Sequence, residues 1–239
     1  METHIEADEL VRGLSFANGR GCFIGCTFDR YDHEYAALST GVPEWLWYLA
    51  DGLHESMSRA VDRGDMALKL LHGFEKCEDF DALERAIHIY IQRRNIERVT
   101  ALEIDAALKS EVLAAIDAVI SCHEAALPVD APEWAAARSA AALAARSAQV
   151  SVTSEAGSAE WSAALAARYA AKSAAWSAAA WSTRSAALAA RSAAEAEDWS
   201  ALAGWSAKWS ATYDDIGQEL LRLLGVYGLA LSEAVEAGE

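Results

Sequence analysis

The chain has 239 residues, 53% of them hydrophobic and 23% charged, with a formal net charge of −16. That length suits one large domain or two small ones, and the hydrophobic share excludes a disordered chain. The negative charge excludes non-specific attraction to nucleic acid or to an anionic membrane as the business of the whole chain.

Pro and Gly punctuate the first half. Ala17-Asn18-Gly19-Arg20-Gly21 reads as a turn. Thr40-Gly41-Val42-Pro43-Glu44 reads as a helix start, with proline near the first helical position. Leu46, Leu49, Leu53 and Met57 follow at helical spacing and predict one buried stripe to about residue 58. A further helix is expected from Asp79 to Arg98, with Ile87, Ile89 and Ile91 competing for its core face. Thr100 and Glu103 have the spacing of a capping box. The helix they would open runs to about Leu127 and is stopped by Pro128 and Pro132.

After Pro132 the composition changes. Between residues 131 and 210, 33 of 80 residues are Ala, 14 are Ser and 7 are Trp. A large residue followed by Ser recurs, as in Arg138-Ser139, Trp161-Ser162 and Arg191-Ser192. Separations are mostly 3, 4, 7 or 8, so the large residues fall on helical faces and the Ala-Ser side lets helices approach closely. Trp161, Leu165, Arg168, Lys172 and Trp176 make one stripe; Trp181, Arg184, Leu188, Arg191, Glu195 and Trp199 make a second, rotated away from it. Residues 150 to 158 suit a break ahead of these stripes, and a last helix is expected from about Tyr213 to Val235. The fold class is therefore all-α, a bundle or array of long Ala-rich helices packed on an N-terminal helical region. Its two regions are 1–130, acidic, and 131–239, the repeat, packed together as one unit.

Charge is uneven along the chain. Residues 134–192 hold Glu155 and Glu160 against Arg138, Arg146, Arg168, Lys172, Arg184 and Arg191. A locally basic, Trp-bearing stretch thus sits inside an acidic protein, and an anionic ligand would be drawn there. The candidate ligand-binding residues are Arg20, Trp161, Arg168, Lys172, Trp176, Trp181, Arg184 and Arg191. Indoles can stack on bases while guanidinium groups bind phosphate. Trp and Arg also dominate protein interfaces, and a buried packing seam with Arg reaching outward is the third reading of the same stripe.

Residues Gly19-Arg20-Gly21-Cys22, Gly25-Cys26-Thr27, Asp32-His33 and Gly41-Val42-Pro43-Glu44-Trp45-Leu46, followed by Asp51 and Glu55, precede this repeat. Together the two features resemble a family of bacteriophage accessory proteins with a GRGC, GC, DH, GIP segment ahead of an Ala/Trp/Arg/Ser-rich helical tail. The resemblance covers roughly residues 18–57 by motif and 134–210 by composition. It implies a non-structural phage gene product, of a kind that often counters host defence.

Three constellations in this segment have a chemical reading. Cys22 and Cys26, with His33 nearby, could ligate a metal, but zinc sites usually pair cysteines more closely and no second pair follows. Gly21 and Gly25 at the same spacing favour a small-residue packing face, and no metal or other cofactor is expected. Cys22 or Cys26 with His33 and Asp51 or Glu55 could supply nucleophile, base and orienter, though geometry decides such triads. Gly19-Arg20-Gly21 could offer amides and a guanidinium to a phosphate.

The functional expectation is a non-enzymatic phage binding protein that blunts a bacterial defence. It would hold a small anionic, nucleotide-type signal or occupy a defence protein; a Cys/His/Glu hydrolase of such a signal, or a purely structural or interaction protein, is the alternative. No membrane and no direct nucleic-acid partner is expected, and a homo-oligomer is possible. The acidic start lacks a signal-peptide core and the longest uncharged piece of the Ala-rich tract, residues 173–183, is too short to span a bilayer. Four cysteines are too few for a disulfide scaffold. These point to the cytoplasm of an infected bacterium.

Overall fold

The computed structural model describes residues 2–6, 10–11, 16–56, 60–128, 130–151, 163–164, 166–168, 170 and 215–227. They are mostly helical, with one two-stranded hairpin, and the fold is all-α. In chain order the elements are α1 (Glu2–Glu6), β1 (Phe16–Ala17), β2 (Arg20–Gly21), α2 (Phe23–Phe28), α3 (His33–Thr40), α4 (Glu44–Ser56), α5 (Ala60–Lys76), α6 (Phe80–Ala101), α7 (Ala106–Glu124) and α8 (Pro132–Ser151). Residues 163–170, where described, and 215–227 are also helical. Among the described residues no helix is long and apolar enough to cross a membrane.

The chain divides into two compact units, one of residues 1–84 and 206–239 and the other of residues 85–205. In the first, the turn around Asn18 is a two-residue β-hairpin. Asn18 at φ 53° and Gly19 at φ 77° fill both central positions, the Asn-Gly geometry that matches strand twist. The hairpin delivers the chain into α2, and Asp32 then caps α3 by accepting from the Tyr35 amide at 2.9 Å. Gly41 at φ 76° ends α3, its N–H donating to the Ala37 carbonyl at 2.9 Å. The helix expected after Pro43 is α4, but its buried stripe differs from the expectation. Leu46, Trp47, Ala50 and Leu53 are at most 1% exposed, whereas Leu49 is only half-buried, because Trp47 takes the core in its place; Met57 lies outside the described residues. Trp47 packs edge-on against Phe28 and Phe74, with ring centroids 5.1 Å apart in each case, and is tilted over Phe23 at 5.9 Å. The periodicity of the last helix sets Ile216, Leu220, Leu223, Leu224 and Tyr227 on one side; the first four are buried in this core and Tyr227 is half-buried.

In the second unit the competition on α6 is resolved toward Ile87, which is 1% exposed while Ile89 and Ile91 are half-buried. The capping-box expectation is corrected. Thr100 is still inside α6, and α7 begins at Ala106, with Asp105 as its cap accepting from the amides of Ala107 and Leu108 at 2.9 and 3.0 Å. A short carboxylate next to free amides outcompetes the more distant Thr-Glu pair. The same helix ends at Glu124 rather than Leu127. Ala126 turns left-handed at φ 47°, and the Leu127 amide donates back to the Cys122 carbonyl at 3.2 Å, two residues before any proline could act.

Helix α8 is the first stretch of the repeat and packs along α7. Its inner face is Trp134, Ala137, Ala141, Ala144, Ala145 and Ala148, all buried, against Val112, Ala115, Ile116 and Val119 of α7. The large residues point the other way: Leu143 is 59% exposed, Arg146 is exposed and Arg138 half-buried. The small side of the repeat therefore makes the core here. Trp134 is the exception among the described large residues of α8; it is 2% exposed and its indole N–H donates to the Leu127 carbonyl at 3.4 Å.

Candidate functional site

The first unit gathers residues of α2, α3 and α4 that carry chemistry. Cys22 is the residue that caps α2, which places its sulfur at the mouth of that helix. His33 opens α3, fixed there by the Asp32 cap. Asp51 and Glu55 lie one turn apart on α4, on the line that continues from Trp47. The sulfur of Cys22 and one carboxylate oxygen each from Asp51 and Glu55 all lie within 4.8 Å of one another. His33 Nε2 stands 3.5 Å from Asp51 Oδ2. His54 Nδ1 stands 3.8 Å from Glu55 Oε1.

Burial closes the group off. Cys22 and His54 are 2% exposed, His33 5% and Asp51 6%, with Glu55 half-buried at the edge. The ring of His33 lies flat on Tyr48, centroids 3.9 Å apart and planes 10° apart, and meets Tyr31 edge-on at 5.0 Å. Sandwiched in this way, the imidazole is held with Nε2 toward Asp51. Asp51 Oδ1, His33 Nε2 and both nitrogens of His54 nevertheless have no hydrogen-bond partner. Buried polar atoms without partners are rare and costly, so their concentration around Asp51, on α4 and at the start of α3, marks this spot.

Electrostatics separates the possible chemistries. Burial, and then the neighbouring Asp51 carboxylate, push the Cys22 thiol far above its usual range. Burial works to raise the Asp51 carboxyl as well, but His33 and Cys22 beside it outweigh that and hold it below the usual value. The thiol is thus a donor toward an anionic Asp51. A nucleophile needs a thiolate and an approach for substrate. This thiol is buried and is held protonated beside Asp51, which counts against a free thiolate nucleophile.

Of the residues singled out from sequence, Cys22, His33, Asp51 and Glu55 are brought together. Cys26 is not: buried at 2%, it faces back along its own helix, its thiol donating to the Gly21 carbonyl at 3.4 Å. The i, i+4 spacing points it down the turn that Cys22 caps. Arg20 is exposed on β2, and Arg168 is half-buried in the second unit among buried alanines 163, 164, 166, 167 and 170. Trp161, Lys172, Trp176, Trp181, Arg184 and Arg191 lie outside the described residues. His54 went unremarked in the sequence, although its spacing of seven from Trp47 and four from Ala50 sets it on the buried side of α4.

Compared with known protein families, curated proteins and solved structures, the chain matches none significantly.

Proposed function

We propose that the protein is a non-enzymatic accessory binding protein of bacteriophage type, which blunts a bacterial defence by holding a small anionic, nucleotide-type signal in the host cytoplasm. The observation that carries this reading is the packing of α8. Its alanine face is spent on the core, and the basic residues of the repeat unit lie off that face, Arg146 exposed and Arg138 half-buried. A helix that turns guanidinium groups outward within the basic stretch 134–192 suits an anionic ligand. The sealed, protonated Cys22 supports binding over turnover.

The test is incubation of the full chain with cyclic and linear nucleotides, followed by mass spectrometry of the recovered nucleotide and by tryptophan fluorescence. Quenching that weakens with salt, with the nucleotide recovered intact, supports the proposal. Recovery of an altered nucleotide replaces it with a hydrolase. No quenching by any of them, with capture of a host defence protein from lysate, replaces it with occupation of that protein.

A further inference from the structure

We propose that Cys22, Asp51 and Glu55 form a binding site for one divalent transition-metal ion, zinc by the chemistry of its donors, with His33 and His54 as positioning residues. The donor set is one soft thiolate and two carboxylates, a combination that selects zinc over magnesium or calcium. Their ligand atoms already lie within 4.8 Å of one another. Bonds of about 2.0–2.3 Å in tetrahedral array would set them about 3.3–3.8 Å apart, so closure needs a movement of about an ångström. Glu55, half-buried and with three side-chain torsions, can supply it.

A cluster of acids with one cysteine would not suffice alone. The second observation is the pair of histidines, each more than nine-tenths buried and each with a nitrogen turned to one of the two carboxylates without a hydrogen-bond partner. The separations, 3.5 Å for His33 to Asp51 and 3.8 Å for His54 to Glu55, are a few tenths of an ångström beyond hydrogen-bond length. Drawing both carboxylates inward onto a cation settles their geometry, and metal-bound carboxylates ordinarily rest on such outer partners. Asp51 Oδ1, which has no partner of its own, gains one in the ion. The ion would join the mouth of α2 to α4 beside α3. Binding forms one sulfur–metal bond, breaks the S–H bond of Cys22 and releases that proton to solvent, with no change of oxidation state.

The experiment titrates full-length, chelator-treated protein with zinc chloride and, separately, cobalt chloride. About one equivalent should bind, cobalt should show a thiolate charge-transfer band, and zinc should raise the melting temperature. Cys22→Ser should abolish the band, His33→Gln should weaken binding by about 10–100-fold, and Cys26→Ser should change neither stoichiometry nor spectrum. Absence of the band in the unaltered protein overturns the site. So does a melting temperature that zinc leaves unmoved, or wild-type cobalt affinity in a Cys22→Ser or Glu55→Gln variant that circular dichroism shows to be folded.

Discussion

His123 lies parallel to His88, with ring centroids 5.1 Å apart and planes at 11°, and it meets the indole of Trp134 edge-on at 4.9 Å. Burial holds His88 down to about 4; burial, then His88 and Arg85, hold His123 down to about 3. Both imidazoles are therefore neutral in the fold at any pH where the unfolded chain begins to protonate them, near 6.5. As pH falls below that value the unfolded state binds more protons than the folded one, so stability is lost from about pH 6.5 downward and is untouched above about 7. At about 1.4 kcal/mol for each pKa unit, and allowing for coupling between the two rings, the pair should remove roughly 2–5 kcal/mol by pH 4. Urea denaturation from pH 8 to 4 checks this. A His123→Phe variant should show a flatter acid limb, and an unchanged slope would refute the assignment.

Gly73 on α5 faces Leu224 so closely that an added Cβ would meet its Cδ1 at 2.8 Å and its Cβ at 3.1 Å. Gly73→Ala should destabilise by about 1–3 kcal/mol through overpacking. Gly52 on α4 has nothing within 4 Å of the same position. Gly52→Ala should stabilise by about 0.5–1 kcal/mol through helix propensity. The two melting temperatures should move in opposite directions.

Asp105→Ala removes the acceptor for two α7 amides and should cost about 0.5–2 kcal/mol. Thr100→Ala, exposed near the end of α6, should cost less than about 0.5 kcal/mol. If the threonine change proved the costlier in chemical denaturation, the capping-box reading would be restored.

Ala126 holds a left-handed conformation at φ 47°, which costs a residue with a Cβ roughly 1–2 kcal/mol. Ala126→Gly should raise stability by about 0.5–1 kcal/mol, since glycine relieves the strain but loses more freedom on folding. Destabilisation would mean that the Ala126 methyl contributes packing worth more than the strain.

Hydrophobic periodicity made α4 and the last helix readable, whereas α6 gave no single apolar stripe, since it buries Gln92 and Asn95 beside Leu83, Ile87 and Val99. Periodicity failed at Leu49, where a neighbouring indole fills the space that spacing alone assigned to leucine. The start of α7 was misread because α6 runs past the point where the Thr-Glu pattern would have opened a new helix. Cys22 or Cys26 with His33 and Asp51 or Glu55 was legible as one constellation, yet which cysteine belonged to it was not. Cys22 and Cys26 are close in sequence, and only the α2 geometry sends one thiol to Asp51 and the other to Gly21. His88 and His123 gave no local signal, since 34 intervening positions separate two rings that the folding of α6 against α7 brings together.

A helix face made of alanine carries no mark of registry. Five alanines repeat along the inner side of α8, and sliding that face by one turn presents the same small methyls to the same grooves. Two contacts among the described residues distinguish one alignment from the next: Trp134 in the first turn, anchored on the Leu127 carbonyl, and Ser147 near the other end, donating to Glu111 at 3.0 Å. Within α8, a slip by a whole turn would keep the methyl face against α7 and lose both of those hydrogen bonds.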